Sequence, residues 1–118
     1  MKEDKLGKLS MELSVEVLNL VKELRYKKEN IISNQIGRSA TSVCANIAES
    51  KYGHSRADFI AKLEIALTEA SETGKWLKML LKSDYIDEVT YKSIDKTCST
   101  IRILLIASIK TAKSKLNK

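Results

Sequence analysis

Glu69 and Glu72 stand three residues apart in a helical pattern, and paired carboxylates at that spacing are the residues of this 118-residue chain best suited to acid–base or metal chemistry. A two-metal site in a helical bundle takes a Glu-x-x-His pair from each of two helices, and the chain has one histidine, His54. That enzyme is therefore not expected. His54 follows Tyr52-Gly53, and a lone histidine beside a helix cap reads better as a solvated turn residue, adding to a basic rim with Lys51 and Arg56, than as a base or ligand. Ser39 and Ser42 lack the strand-turn-helix setting that activates a nucleophilic serine. Cys44 and Cys98 have neither a Cys-x-x-Cys partner nor a histidine in sequence reach, so they read as small buried residues in a reducing cytosol. No catalytic residue, metal ligand or cofactor is assigned.

A second polar pattern points to packing. Gln35, Arg38, Ser42, Asn46 and Glu49 recur at steps of three and four beside an apolar face, and Lys62, Glu69 and Glu72 form a comparable line farther on. An arginine and a carboxylate facing each other across two helices satisfy polar groups and fix register. Arg38, Asn46, Glu49, Glu69 and Glu72 are thus expected to form a structural polar network. Trp76, with Leu77 and Leu80, reads as filling a core or subunit contact in preference to stacking on a base.

The elements that must position these residues are helices. Proline is absent, glycine numbers four and aromatic residues make up 5% of the chain, which suits long uninterrupted helices and starves strands. With 43% hydrophobic residues in this length, one domain spanning residues 1–118 is expected. Apolar residues at helical spacing place four helices, at about 5–26, 31–51, 56–82 and 87–114. Helix two is rich in small residues (Gly37, Ser39, Ala40, Ser42, Cys44, Ala45, Ala48), which predicts close backbone approach, with tight packing offsetting the helix-weakening Gly37. Ser55 and Asp87 are natural N-caps for the third and fourth helices. Short connections between helices of similar length predict an all-α, up-down-up-down antiparallel four-helix bundle.

Successive turns of such a bundle alternate between its two poles. Lys51, His54 and Arg56 around the second turn therefore share a pole with Lys5, Lys8 and the closing lysines Lys110, Lys113, Lys115 and Lys118, after which no acid follows. The formal net charge is +6 and the isoelectric point about 9.3, so this pole is the candidate polyanion-binding surface. A solvated helix end with cations near its negative terminus is the plain alternative. No helix-turn-helix, zinc finger or RNA-recognition aromatic set is present, which leaves backbone contact with RNA or DNA instead of base reading. Ile103, Leu104, Ile106 and Ile109 leave helix four apolar on more than one side, which predicts a homo-oligomer. The charged N-terminus is not followed by the apolar run of a signal peptide, and no stretch reaches the length of a membrane span, so a cytoplasmic protein without membrane contact is expected.

In Gln-x-x-Arg-x-x-x-Ser from Gln35, Asn46-Ile47-Ala48-Glu49, Asp58-Phe59-x-x-Lys-Leu and Glu72-Thr73-x-x-Trp76-Leu77, the chain resembles proteins encoded by intervening sequences of bacterial 23S ribosomal RNA genes. Ser50 stands where that family commonly has glycine. The resemblance implies the same bundle in a ring-like homo-oligomer, commonly a pentamer. It also implies kinship with the accessory variability determinant proteins of diversity-generating retroelements, which bind a reverse transcriptase and template RNA. The expected function is a non-enzymatic nucleic-acid-binding accessory protein. A protein-interaction scaffold without direct nucleic-acid binding is the alternative.

Overall fold

The computed structural model describes residues 4–116, which form four antiparallel α-helices: α1 (Lys5–Tyr26), α2 (Ile32–Ser50), α3 (Arg56–Lys82) and α4 (Glu88–Leu116). Each helix packs on two others, α1 closing the ring against α4, and the backbones of the diagonal pairs stay apart. The outcome is a square bundle measuring 51 × 26 × 21 Å. Leu13, Val17 and Leu24 of α1, Ile36 and Val43 of α2, Leu63, Leu77 and Leu80 of α3, and Ile101 and Leu105 of α4 are sealed in the core. With the buried Leu20, Ala40, Ala66, Ala70 and Thr73 between them they lie at three- and four-residue steps, so one continuous buried stripe per helix accounts for the fold.

The four seams differ. Small residues line the α2–α3 seam, where Ala40, Ala66 and Ala70 are fully buried and the Ser39 and Thr73 hydroxyls meet at 2.8 Å. Thr73 also donates to the Glu69 carbonyl at 2.8 Å, so this buried pair is satisfied and adds no desolvation cost. The α1–α4 seam is the thinnest, and Glu16 sits in it beside Thr97, one of its carboxylate oxygens buried without a hydrogen-bond partner among the described residues. Burial raises the Glu16 pKa above the usual carboxylate range, more than the Thr97 hydroxyl lowers it, and Glu12 adds a smaller upward push. Gly37 corrects the sequence-based expectation: a Cβ there would meet Val21 Cγ2 at 3.5 Å, an ordinary contact, so tight packing does not demand glycine. Gly74 is the closer approach, its missing Cβ leaving room for the Arg102 guanidinium at 3.3 Å.

Helix ends are set by short-range hydrogen bonds. Asp4 accepts from Gly7 N at 3.0 Å, Ser55 from Asp58 N at 3.1 Å and Asp87 from Thr90 N at 2.8 Å. The backbone and side-chain bonds to Thr90 hold the Asp87 carboxyl below its ordinary pKa. α1 and α3 end alike. Lys28 and Asp84 take left-handed φ values of 65° and 64°, while Glu29 N bonds Leu24 O and Tyr85 N bonds Leu80 O. These are Schellman closures with a non-glycine residue in the place glycine favours.

Candidate nucleic-acid interface

Arg38 on α2 reaches across to α3, its Nη1 donating to Glu69 Oε2 at 2.8 Å and its Nη2 to Glu72 Oε2 at 3.2 Å. The Glu69 charge is the main reason the arginine's pKa is raised further. The Arg38 side chain is 54% exposed and that of Glu69 12%, so the guanidinium roofs the seam from outside. Glu49 pairs with Lys62 of α3 at 2.9 Å. Asn46 does not cross: its Nδ2 turns back to the Ser42 carbonyl at 2.9 Å and hydroxyl at 3.1 Å. Glu69 and Glu72 share one guanidinium, so both carboxylates are engaged as its partners and the clasp as a whole keeps one negative charge. Among the described residues, no group of three or more His, Cys, Asp or Glu side chains could hold a metal ion.

The pole that gathers the α1 and α3 starts and the α2 and α4 ends brings most of the sequence-predicted cations together. Lys51 is paired with Asp4, and Lys113 with Glu64 at 3.1 Å. Both pairs join one helix terminus to another element. Arg56, Lys110 and Lys115 have no ion pair among the described residues, and His54 is exposed in the turn. Lys118 lies outside the described residues. Arg56 on α3 and Lys115 on α4 flank a groove of about 660 Å³ that also includes Phe59, Ala107, Ser108 and Thr111. The opposite pole is different. There Arg25 donates to Asn34 Oδ1 at 3.0 Å, Lys27 Nζ to Tyr85 O at 3.1 Å, and Asp84, Asp87 and Glu88 stand among the cations.

Three residues that matter were not singled out from the sequence. Glu29 is buried between α1 and α2, where its carboxylate accepts from the backbone N–H groups of Ile31 and Ile32 at 3.0 Å and of Ser33 at 2.7 Å. It thereby caps α2 from three residues upstream of the first helical residue, outside the usual cap position. Tyr52 presents an aromatic ring at the basic pole with 84% of its surface exposed. Arg102, half-buried beside Gly74, donates to Ser99 Oγ at 3.0 Å and has no carboxylate partner among the described residues. Cys98 is buried, its Sγ 3.2 Å from the Ala70 carbonyl, and burial pushes its pKa up to about 11, so it stays a thiol at neutral pH. Trp76 packs against the core with its indole N–H buried.

The sequence profile of the 23S rRNA-intervening sequence protein family matches residues 2–107. The chain belongs to that family. The crystal structure of a protein with unknown function from the S23 ribosomal protein family of Bacteroides thetaiotaomicron is similar to it, with 46% identity and a TM-score of 0.87. The match covers 89% of this chain and 98% of that one. A search of curated proteins finds no match. In this intervening-sequence protein, no described helix is long and apolar enough to cross a membrane.

Proposed function

We propose that this intervening-sequence protein is a non-enzymatic, cytoplasmic accessory protein that self-associates and holds RNA or DNA by the phosphate backbone at its basic pole. The sorting of charge carries the reading. Arg56, Lys110 and Lys115 lie without ion pairs at the same end as Lys51 and Lys113, against the described acids Asp4, Asp58 and Glu64; the far pole also has cations without ion pairs among the described residues, Arg25, Lys28 and Lys82 among them, but sets Glu23, Asp84, Asp87 and Glu88 beside them. Cations not already neutralised are the ones that displace counterions from a nucleic acid. Exposed Tyr52 adds a ring on which a base can lie.

Self-association has its own support. Met11, Val15 and Leu18 form an exposed apolar row on α1, and Ile103 and Ile106 stand exposed on α4. A ring of copies, a pentamer in the family it resembles, would multiply the basic pole into a rim. Within a diversity-generating retroelement, such a rim would present template RNA to a reverse transcriptase. The same apolar rows favour the second reading, a scaffold that binds protein alone.

The test is binding of a structured RNA across a salt series, with oligomer mass measured by light scattering. Reversing Lys110 and Lys115 to glutamate lowers the slope of log affinity against log salt by about two units. An unchanged slope and affinity would remove the basic-pole assignment, and RNA-independent recovery of a single protein partner would establish the scaffold instead.

A further inference from the structure

The groove beside Phe59 exists because the helices are unequal. Counted antiparallel from the Glu16–Thr97 contact, the start of α1 at Lys5 comes level with Ser108, so the last turns of α4 run on without α1 beside them. Among the described residues nothing covers the flank of α4 there, with Ser108, Thr111 and Lys115, and it is joined by Arg56 and Phe59 at the start of α3. The groove thus has a cation on either helix, two hydroxyls and an apolar floor that includes the chain's one phenylalanine. Its volume, about 660 Å³, is that of a pocket for a small ligand or one or two nucleotides.

We infer that this groove clamps an unpaired nucleotide, the base lying against Phe59 and Ala107 and the flanking phosphates on Arg56 and Lys115, so that the basic pole prefers single-stranded to duplex nucleic acid. The inference rests on the basic-pole reading above and sharpens it. A duplex keeps its base faces stacked and offers a protein groove only phosphate, sugar and base edges, for which an apolar floor has no use. A single strand offers phosphates at the spacing of successive nucleotides and a free aromatic face between them. That is the combination of charge and apolar surface found here. Ser108 and Thr111, each both donor and acceptor, suit any base edge and select none.

The experiment compares a short labelled oligoadenylate with a hairpin duplex of equal charge closed by a non-nucleotide linker, both across the same salt series, for the wild-type protein, Phe59→Leu and Ala107→Glu. Phe59 is half-buried and packs on the core, and Phe59→Leu removes its ring while keeping a somewhat smaller apolar side chain there; Ala107 is exposed, so its replacement puts a carboxylate in the groove without touching the core. Circular dichroism checks that both fold. Phe59→Leu is expected to weaken oligoadenylate binding about tenfold and leave the hairpin and the salt slope unchanged. Ala107→Glu should weaken the single strand more than the hairpin. Equal affinity of wild type and Phe59→Leu for oligoadenylate, with both probes still bound, would overturn the groove and leave the basic pole standing. Wild-type protein that binds neither probe at low salt would remove both. A poly-glutamate peptide is the further control, and if its binding falls in step with oligoadenylate in Phe59→Leu, the groove takes acidic peptides and the inference fails.

Discussion

Glu29 shows how much one side chain can settle. Its carboxylate accepts three backbone N–H groups that begin α2, and its own carbonyl accepts the Ser33 hydroxyl at 2.8 Å. Glu29→Ala should cost about 1–2 kcal/mol of stability in urea denaturation, because three backbone donors, the Ser33 N–H buried and the other two partly so, lose their acceptor together. The sequence hid this because a glutamate three residues ahead of a helix is not a cap by pattern; only the left-handed turn at Lys28 swings it into place. Glu16 works in the opposite sense. Its pKa is raised by burial, so the folded state binds the proton more tightly than the unfolded chain does, and the ionised form is a burden. That burden is absent below the ordinary carboxylate pKa and grows as pH rises from there through the raised value. Glu12 on the same helix and Lys96 of α4 line the same cleft, and the Glu12 charge raises the Glu16 pKa further. Glu16→Gln should therefore raise the melting temperature at about pH 7 and leave it nearly unchanged at about pH 4. Equal gains at both values would mean the carboxylate's charge is not the cause.

At the scale of elements, periodicity made the four helices legible, because buried residues at three- and four-residue steps leave one solution per segment. The terminators were less so. No glycine marks the ends of α1 or α3, and Lys28 and Asp84 supply the left-handed residue despite their Cβ atoms. Lys28→Gly or Asp84→Gly should each raise stability by about 1 kcal/mol in thermal denaturation, by relieving that conformation. Gly37 illustrates the converse error. A small residue in a helix rich in small residues was expected at a tight crossing, yet the tight crossing is made by Ala40, Ser39 and Thr73, and Gly37 has room to spare. Composition reported that α2 packs closely without saying which of its small residues do so. The Arg38–Glu69–Glu72 clasp was readable from spacing because charge and position both identify it; Asn46 was not, since an amide can satisfy itself on its own helix.

For the whole molecule, alternation of turns brought Lys51, Arg56, Lys110, Lys113 and Lys115 to one end, a placement that needs only connectivity. Which of these are neutralised needs coordinates, since Asp4 and Glu64 come from other segments of the chain. The groove at that end was illegible for the same reason: it depends on where α1 starts relative to where α4 stops. The antiparallel helices cancel one another's macrodipoles, so side chains decide how the molecule turns in a field. Its long dimension of 51 Å is several times a Debye length of about 8 Å at physiological salt, and a distant polyanion senses each tip separately. An approaching nucleic acid should accordingly rotate the rod and meet it point first, with the greasy flanks of α1 and α4 still free to lie against sister rods.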